Sequence, residues 1–318
     1  MAAPSSWSIP QEFKDHVETI RADWLSKGLR DGVKRQARNN QLDQILSMFG
    51  SFLWNIEDQF KAAIEAGVSD TDWKPNLSRH LRILWAHIYT AARFCNVEYR
   101  DRLVVELMLL HGVGGMTCIK DNQTVVASMA DRVLWTDMPF FAEEMLFFWN
   151  LEFAVMSRSQ RRNLHYVLAT VAGGNIVSDK LSAVGILVLR EAFETPREMG
   201  SDNSEDGEDE NRTIRDLTVL DLLGCAEFWL LKARDPIMRL SANNFSDYPQ
   251  EVGRLGPLAQ EAGVPDNGGL SQERWFFWKR RHFDITCSMR PEGNGRVPQE
   301  RWPDSYLPRV PSPGGEGI

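Results

Sequence analysis

The chain has 318 residues, of which 43% are hydrophobic, so it can hold one large or two modest domains and bury a core, and disorder is excluded as its default state. Its net charge of −8 is concentrated: Ser201 to Glu210 (SDNSEDGEDE) carries six of the negative charges, leaving −2 for the rest. The sequence pI of 5.4 argues against nucleic acid as a partner, since nucleic-acid-binding domains usually have a pI above about 9.

The N-terminal MAAPSSWSIP lacks the basic region and apolar run of a secretory signal and reads as a flexible segment over residues 1–10. Helical periodicity begins at about Phe13 and runs to Leu25. Lys27, Arg30, Lys34 and Arg38 then follow at steps of three and four. They would share one face of a helix, as a candidate site for phosphate or an acidic peptide. Gly28 and Gly32 interrupt the segment, and each costs a helix about 1 kcal/mol relative to alanine, so the expectation here is a solvated connector.

Leu42, Ile45, Phe49, Leu53, Ile56 and Phe60 restore the helical spacing, and Leu77, Leu81, Leu84, Ile88, Ala91 and Ala92 repeat it up to Phe94. Further helices are expected over Tyr99 to Leu110, with Asn96 just before their start, and over Val125 to Trp135, Pro139 to Phe153, Gln160 to Val171, Lys180 to Phe193 and Ile214 to Ala233. Gly67, Gly112, Gly173 and Gly174 fall where helices should stop. No Asn-Gly hairpin signal separates two β-branched runs. The polar segment from Thr195 to Arg212 lacks an apolar anchor and reads as a solvated, mobile loop, with Ser201 and Ser204 as candidate phosphorylation sites. From residue 289 to 318 the chain turns to proline and glycine without periodicity, as a disordered tail. The expected fold is all-α: one multi-helix domain over residues 11–288, with the acidic loop 195–212 inserted.

No apolar run approaches the ~20 residues of a membrane span, and Glu106, Glu143 and Glu144 interrupt the richest ones. An intracellular location, cytoplasm or nucleus, is expected. Cys95, Cys118, Cys225 and Cys287 show no C-x-x-C spacing and read as reduced, mostly buried thiols. His16, His80, His87, His111, His165 and His282 form no H-x-x-x-H pair, so no metal site is assigned. The glycines of HGVGG (His111 to Gly115) could free backbone N–H groups to face an anion, but the companion motifs of nucleotide and esterase loops are missing. A helix stop accounts for them. Glu143 and Glu144 diverge by about 100° on a helix and read as a solvated face rather than a catalytic pair. No catalytic, cofactor-binding or metal residue is assigned.

LSQERWFFWKRRHFDITC (Leu270 to Cys287) mixes aromatic and basic residues as a nucleic-acid grip does. With Trp275 as zero on a wheel of about 100° per residue, Phe276, Trp278, His282, Phe283 and Ile285 fall on one side, and Arg274, Arg280, Arg281 and Asp284 on the other. Ser271 suits an N-cap, and Leu270 with Trp275 a hydrophobic staple. The expectation is a core helix with its aromatics inward and its arginines outward, only Phe277 pointing with the arginines.

Three stretches carry a resemblance: the ERWFFWKR box at Glu273 to Arg280, LWTDMP at Leu134 to Pro139, and WNIEDQF at Trp54 to Phe60. Together they resemble a fungal family of predominantly helical proteins known only as a domain of unknown function, over about residues 40 to 288. The resemblance implies an all-α fold and a fungal, intracellular origin, and transfers no functional residue. The favoured functional reading is a non-enzymatic helical protein acting through protein–protein interaction. The alternatives are a small-molecule binder or enzyme with an inter-helix pocket presenting His80, His87 or His111, and, behind it, a nucleic-acid-associated factor acting through Lys27 to Arg38.

Overall fold

A computed structural model describes residues 29–39, 41–68, 70–129, 131–201 and 207–289. The expected N-terminal segment, the helix from Phe13 to Leu25, Lys27, Ser204 and the tail beyond Met289 lie outside these residues.

The described residues form an all-α fold with two small hairpins. Four helices open it: α1 (Leu29–Arg38), α2 (Leu42–Glu65), α3 (Asp70–Phe94) and α4 (Val97–Val113). Then come β1 (Thr117–Lys120), β2 (Gln123–Val126), β3 (Ser128–Met129) and β4 (Arg132–Val133). Helices α5 (Phe141–Glu152), α6 (Arg158–Gly173) and α7 (Ser178–Leu189) follow, and α7 runs into a π-helical turn, Arg190–Glu194. A 3₁₀ turn (Ile214–Asp216) precedes α8 (Val219–Leu231), α9 (Arg234–Ala242), the short α10 (Gln250–Gly253) and α11 (Pro257–Glu261), and α12 (Gln272–Ser288).

Helix α6 is the hub, packing against α3, α4, α7 and α8. Its start is fixed by a capping box: Ser157 Oγ accepts from the Gln160 N–H while the Gln160 side chain accepts from the Ser157 N–H. Every residue of α7 from Leu181 to Leu189 is buried, as an apolar sequence with no polar face requires. Close packing there uses Gly185, where a Cβ would lie 2.7 Å from the Trp229 ring.

Four expectations about whole segments are corrected. Val125 to Trp135 is not a helix but two antiparallel hairpins, β1 pairing with β2 and β3 with β4. The first turn is Asp121-Asn122, with φ of 51° and 61°; these two residue types tolerate the left-handed region almost as Gly does, so Asp-Asn replaces the Asn-Gly signal. The basic segment is helical from Leu29, despite Gly32, because Val33 and Ala37 are buried against α3 and repay the glycine's cost. The stretch from Ile214 to Ala233 is broken at Leu217 and Thr218, both extended, because Thr218 and Asp221 form their own capping box and start α8 afresh.

The fourth correction concerns the acidic segment, whose described arms are anchored. The N–H groups of Val219 and Leu220 donate to the Glu198 and Met199 carbonyls, and the Asp209 N–H donates to Val155 O at 3.0 Å. Arg197 donates to Ile214 O and Leu217 O, and Arg212 to Ala154 O and Met156 O. Residues 202–206 lie outside the described residues.

Helix α12 starts as the sequence indicates: Ser271 Oγ accepts from the Arg274 N–H, and Leu270, Trp275, Trp278 and Ile285 are buried. The buried arc, however, centres near Trp278 rather than Trp275. That rotation takes Phe283 into solvent and carries Arg274 fully inside, correcting its expected outward position. Phe277 is half-buried against the core. Trp278→Ala should lower the melting temperature by several degrees, as a core truncation of roughly 3–5 kcal/mol does; a parent-like thermal melt would show that α12 is not core.

Candidate functional site

The sequence-level candidates do not converge on one cavity. His80, His87 and His111 each donate a hydrogen bond from Nδ1 to a different carbonyl, those of Asn76, Ile83 and Thr136, at 2.8, 2.6 and 3.0 Å. His87 is fully buried and packs against Phe52 with ring centroids 4.8 Å apart. Burial lowers its pKa to about 4, and burial together with the Arg161 charge lowers that of His165 to about 3. Among the described residues no group of three His, Cys, Asp or Glu is placed to hold a metal ion. HGVGG ends α4 as a helix stop, the Gly114 N–H donating to His111 O at 3.1 Å.

Glu143 and Glu144 diverge as expected, but only one faces the surface. Glu143 pairs with Arg132 at 2.5 Å, whereas Glu144 is buried against Arg82 of α3. Burial pushes the Glu144 carboxyl up to about 7, against the opposing pull of Arg82. Its partner lies 62 residues away, which adjacency in sequence cannot show. Cys95 and Cys225 are buried, and burial pushes their thiols up to about 12; Cys118 is half-buried and Cys287 exposed, which corrects the expectation for the last two.

Two polar clusters were missed from sequence. The first closes the fold. Glu194, at the end of the π turn, accepts from Arg274 Nε at 2.7 Å, Arg274 Nη2 at 3.2 Å, Trp278 Nε1 at 2.6 Å and the Gly256 N–H at 2.5 Å. Arg274 also donates to Gly253 O, Gly269 O and Arg254 O at 2.6, 2.7 and 3.0 Å. All five guanidinium N–H groups are thereby used, the condition under which a fully buried ion pair holds. The carbonyls can converge because Gly253 approaches Gly268 so closely that a Cβ would sit 1.7 Å from its oxygen. The ERWFFWKR box is therefore a structural clasp. LWTDMP is likewise packed inside: Leu134, Trp135 and Met138 are buried, and Pro139 O accepts from Trp85 Nε1 at 2.7 Å.

The second cluster sits where α1, α3 and α6 meet the acidic segment. Arg93 of α3 is buried between Glu152, at 2.5 Å from Nη1, and Gln160, whose Oε1 accepts from Nε at 3.1 Å. Its Nη2 reaches Glu208 at 2.9 Å, and Gln160 Nε2 donates to the same oxygen at 2.8 Å. Lys34 and Arg38, one turn apart on α1, approach the other Glu208 oxygen at 3.3 and 3.8 Å. Both cations also lie over the Phe94 ring, 4.8 and 5.0 Å from its centroid, with Arg93 at 4.9 Å. The S-x-x-Q capping-box pattern at Ser157 to Gln160 was the one local signal for this cluster.

A third feature is apolar. Helix α4 turns Leu103, Val104 and Leu107 to the core and leaves Val97, Val105, Leu109 and Val113 exposed, Leu109 at 60% and Val113 at 71%. Just beyond it, the β1–β2 hairpin packs Cys118 and Val125 inward and exposes Ile119 and Val126. No helix among the described residues is long and apolar enough to cross a membrane.

Comparison with known proteins supports the resemblance drawn above. "Oxopyrrolidines biosynthesis cluster protein G" of Penicillium oxalicum is 29% identical over 271 residues, which cover 83% of this chain and 74% of that protein. No solved structure matches the chain. The model of the family described as "Protein of unknown function (DUF3632)" matches residues 85–282, from the middle of α3 to the last turns of α12, and the chain belongs to that family.

Proposed function

We propose that this chain is a non-enzymatic helical protein that acts by binding another protein through the exposed face of α4 and the β1–β2 hairpin. The observation that carries the reading is the row of exposed Val105, Leu109 and Val113 at four-residue steps, continued after the Gly114-Gly115 turn by Ile119 and Val126. Isolated exposed apolar residues need no explanation, but a helix apolar on both faces keeps one of them dry only against a partner. Asp101 and Arg102 on the same helix are exposed and suit the polar rim that surrounds an apolar contact.

The relative's name associates it with an oxopyrrolidine biosynthesis cluster, and we take a protein of such a biosynthetic set as the kind of partner to expect. The enzyme reading drew on His80, His87 and His111, and these three side chains are engaged with separate backbone carbonyls.

The test is a paired affinity purification of the parent and a Leu109→Glu, Val113→Glu double variant, each identified by mass spectrometry. Substitution at exposed positions should leave the melting temperature within about 2 °C of the parent. The expected result is a reproducible partner recovered with the parent and lost with the variant. Recovery of the same partner with both proteins, or of none with the parent, rejects the reading.

A further inference from the structure

We infer that Lys34, Arg38, Arg93 and Gln160 form a binding site for a small carboxylate or phosphate anion, occupied in this structure by the chain's own Glu208. The site is built rather than incidental. Gln160 has its amide oxygen committed to Arg93 Nε and to the Ser157 N–H, at 3.1 and 3.2 Å, which turns its Nε2 donor toward the carboxylate. Arg93 is fixed by Glu152 from behind, leaving Nη2 aimed the same way. Two donors from buried side chains therefore converge on one oxygen of the anion, with two partly exposed cations at the other.

The charge balance points to an anion as well. Among the described residues, three cations (Lys34, Arg38 and Arg93) face two carboxylates (Glu208 and Glu152) with Glu208 seated; without it, three face one. A phosphate dianion or a small dicarboxylate would neutralise that excess of two. Burial alone would raise the Glu208 carboxyl, yet the Gln160 hydrogen bond and the charges of Arg93 and Lys34 hold it below its ordinary value, so the site favours the charged form of its occupant.

The contrast with the Glu194–Arg274 clasp shows why the occupant can exchange. That pair has no exposed side-chain surface, whereas Glu208 and Lys34 keep 29% of theirs and Arg38 keeps 54%. Ion pairs at such exposure contribute at most about 1 kcal/mol. A competing anion therefore has little to displace. Glu208 lies in an exposed stretch, Gly207 to Glu210, whose backbone is anchored next door by the Asp209 N–H on Val155 O, so that only the Glu208 side chain has to leave its seat. Its seat acts as a tethered competitor for the site.

The experiment is calorimetric titration of the full chain with inorganic phosphate and, separately, with succinate, at ionic strength held constant with sodium chloride. Glu208→Gln keeps the shape of the internal occupant and removes its charge. This variant should bind at least one of the two probes up to about fivefold more tightly than the parent, the ratio that relief of ~1 kcal/mol of competition gives. Adding Lys34→Ala or Arg38→Ala to that variant should reverse the gain. Phosphate alone, succinate alone, or both responding would each support the site and identify its anion. Equal binding by parent and variant, or binding indifferent to Lys34 and Arg38, would mean an adventitious ion only and overturn the inference. So would the absence of binding to either probe, or a Glu208→Gln protein that melts many degrees below the parent, which would make Glu208 a structural brace.

Discussion

Arg274→Ala is expected to lower the unfolding free energy by roughly 3–5 kcal/mol, the usual cost of leaving one member of a buried ion pair alone. Three consequences add up at this position. Glu194 would be left with only the Trp278 indole and the Gly256 N–H as donors. The carbonyls of Gly253, Arg254 and Gly269 would lose a donor in a dry interior. The packing of α12 on the π turn would also lose its largest polar side chain. Arg274→Lys should cost nearly as much, since an ammonium offers three donors where the site uses five, and it cannot reproduce the planar fork toward Glu194. Guanidinium denaturation of the two variants and of Glu194→Gln would measure this. A loss below about 1 kcal/mol for Arg274→Ala would show that the clasp is not what holds α12.

Acidification from pH 6.5 to 4.5 is expected to remove on the order of 3 kcal/mol of stability through groups whose titration burial has displaced. His87 and His165, lowered from 6.5 to about 4 and about 3, are neutral in the folded chain. Their contribution is fully present above 6.5 and is lost as the pH falls toward the folded values. Glu144 works in the opposite sense. Raised from 4.5 to about 7, it keeps a proton in the folded chain that the unfolded chain releases, so its contribution grows as the pH falls from 7 to 4.5. Each proton corresponds to about 1.4 kcal/mol per pH unit, and two histidines against one glutamate leave a net loss of about 1.4 kcal/mol per unit. Glu144→Gln removes the compensating group and should roughly double the slope of stability against pH. At lower pH Asp216, held below its ordinary value by hydrogen bonds from the Thr213 backbone and hydroxyl, adds a further loss of the same sign. Stability that is flat or rises between pH 6.5 and 4.5 would contradict the burial of these two imidazoles.

What the sequence could convey depended on whether the signal was local. The periodicity of Leu42 to Phe60 and Leu77 to Phe94 reports directly on which face of α2 and α3 is buried, and the caps at Asn96 and Ser271 report on a single turn; all were legible. The hairpins were not, because Val125, Met129 and Val133 are spaced four apart as in a helix, and only the turn chemistry of Asp121-Asn122 contradicts that pattern. The polar clusters are non-local in a stronger sense. Glu144 finds Arg82 across 62 residues, Arg93 finds Glu208 across 115, and Arg274 finds Glu194 across 80. A helical wheel treats an arginine as an outward residue unless the acceptors that would admit it to the core are known. For Arg274 those acceptors are one carboxylate and three carbonyls contributed by three separate stretches of chain.

The clasp also has a consequence for the order in which the chain can become itself. Synthesis delivers Glu194 well before Arg274, because 80 positions separate them. During that interval α7 can already be withdrawn from water while the carboxylate at its end has no guanidinium to meet it. A nascent chain at this stage should therefore keep the π turn open and hydrated, and commit it only once α12 has emerged. Premature termination anywhere between Glu194 and Arg274 would leave a protein with most of its helices and an uncompensated charge at the end of its most deeply buried one, a form that quality control could recognise without reading any surface feature of the finished fold.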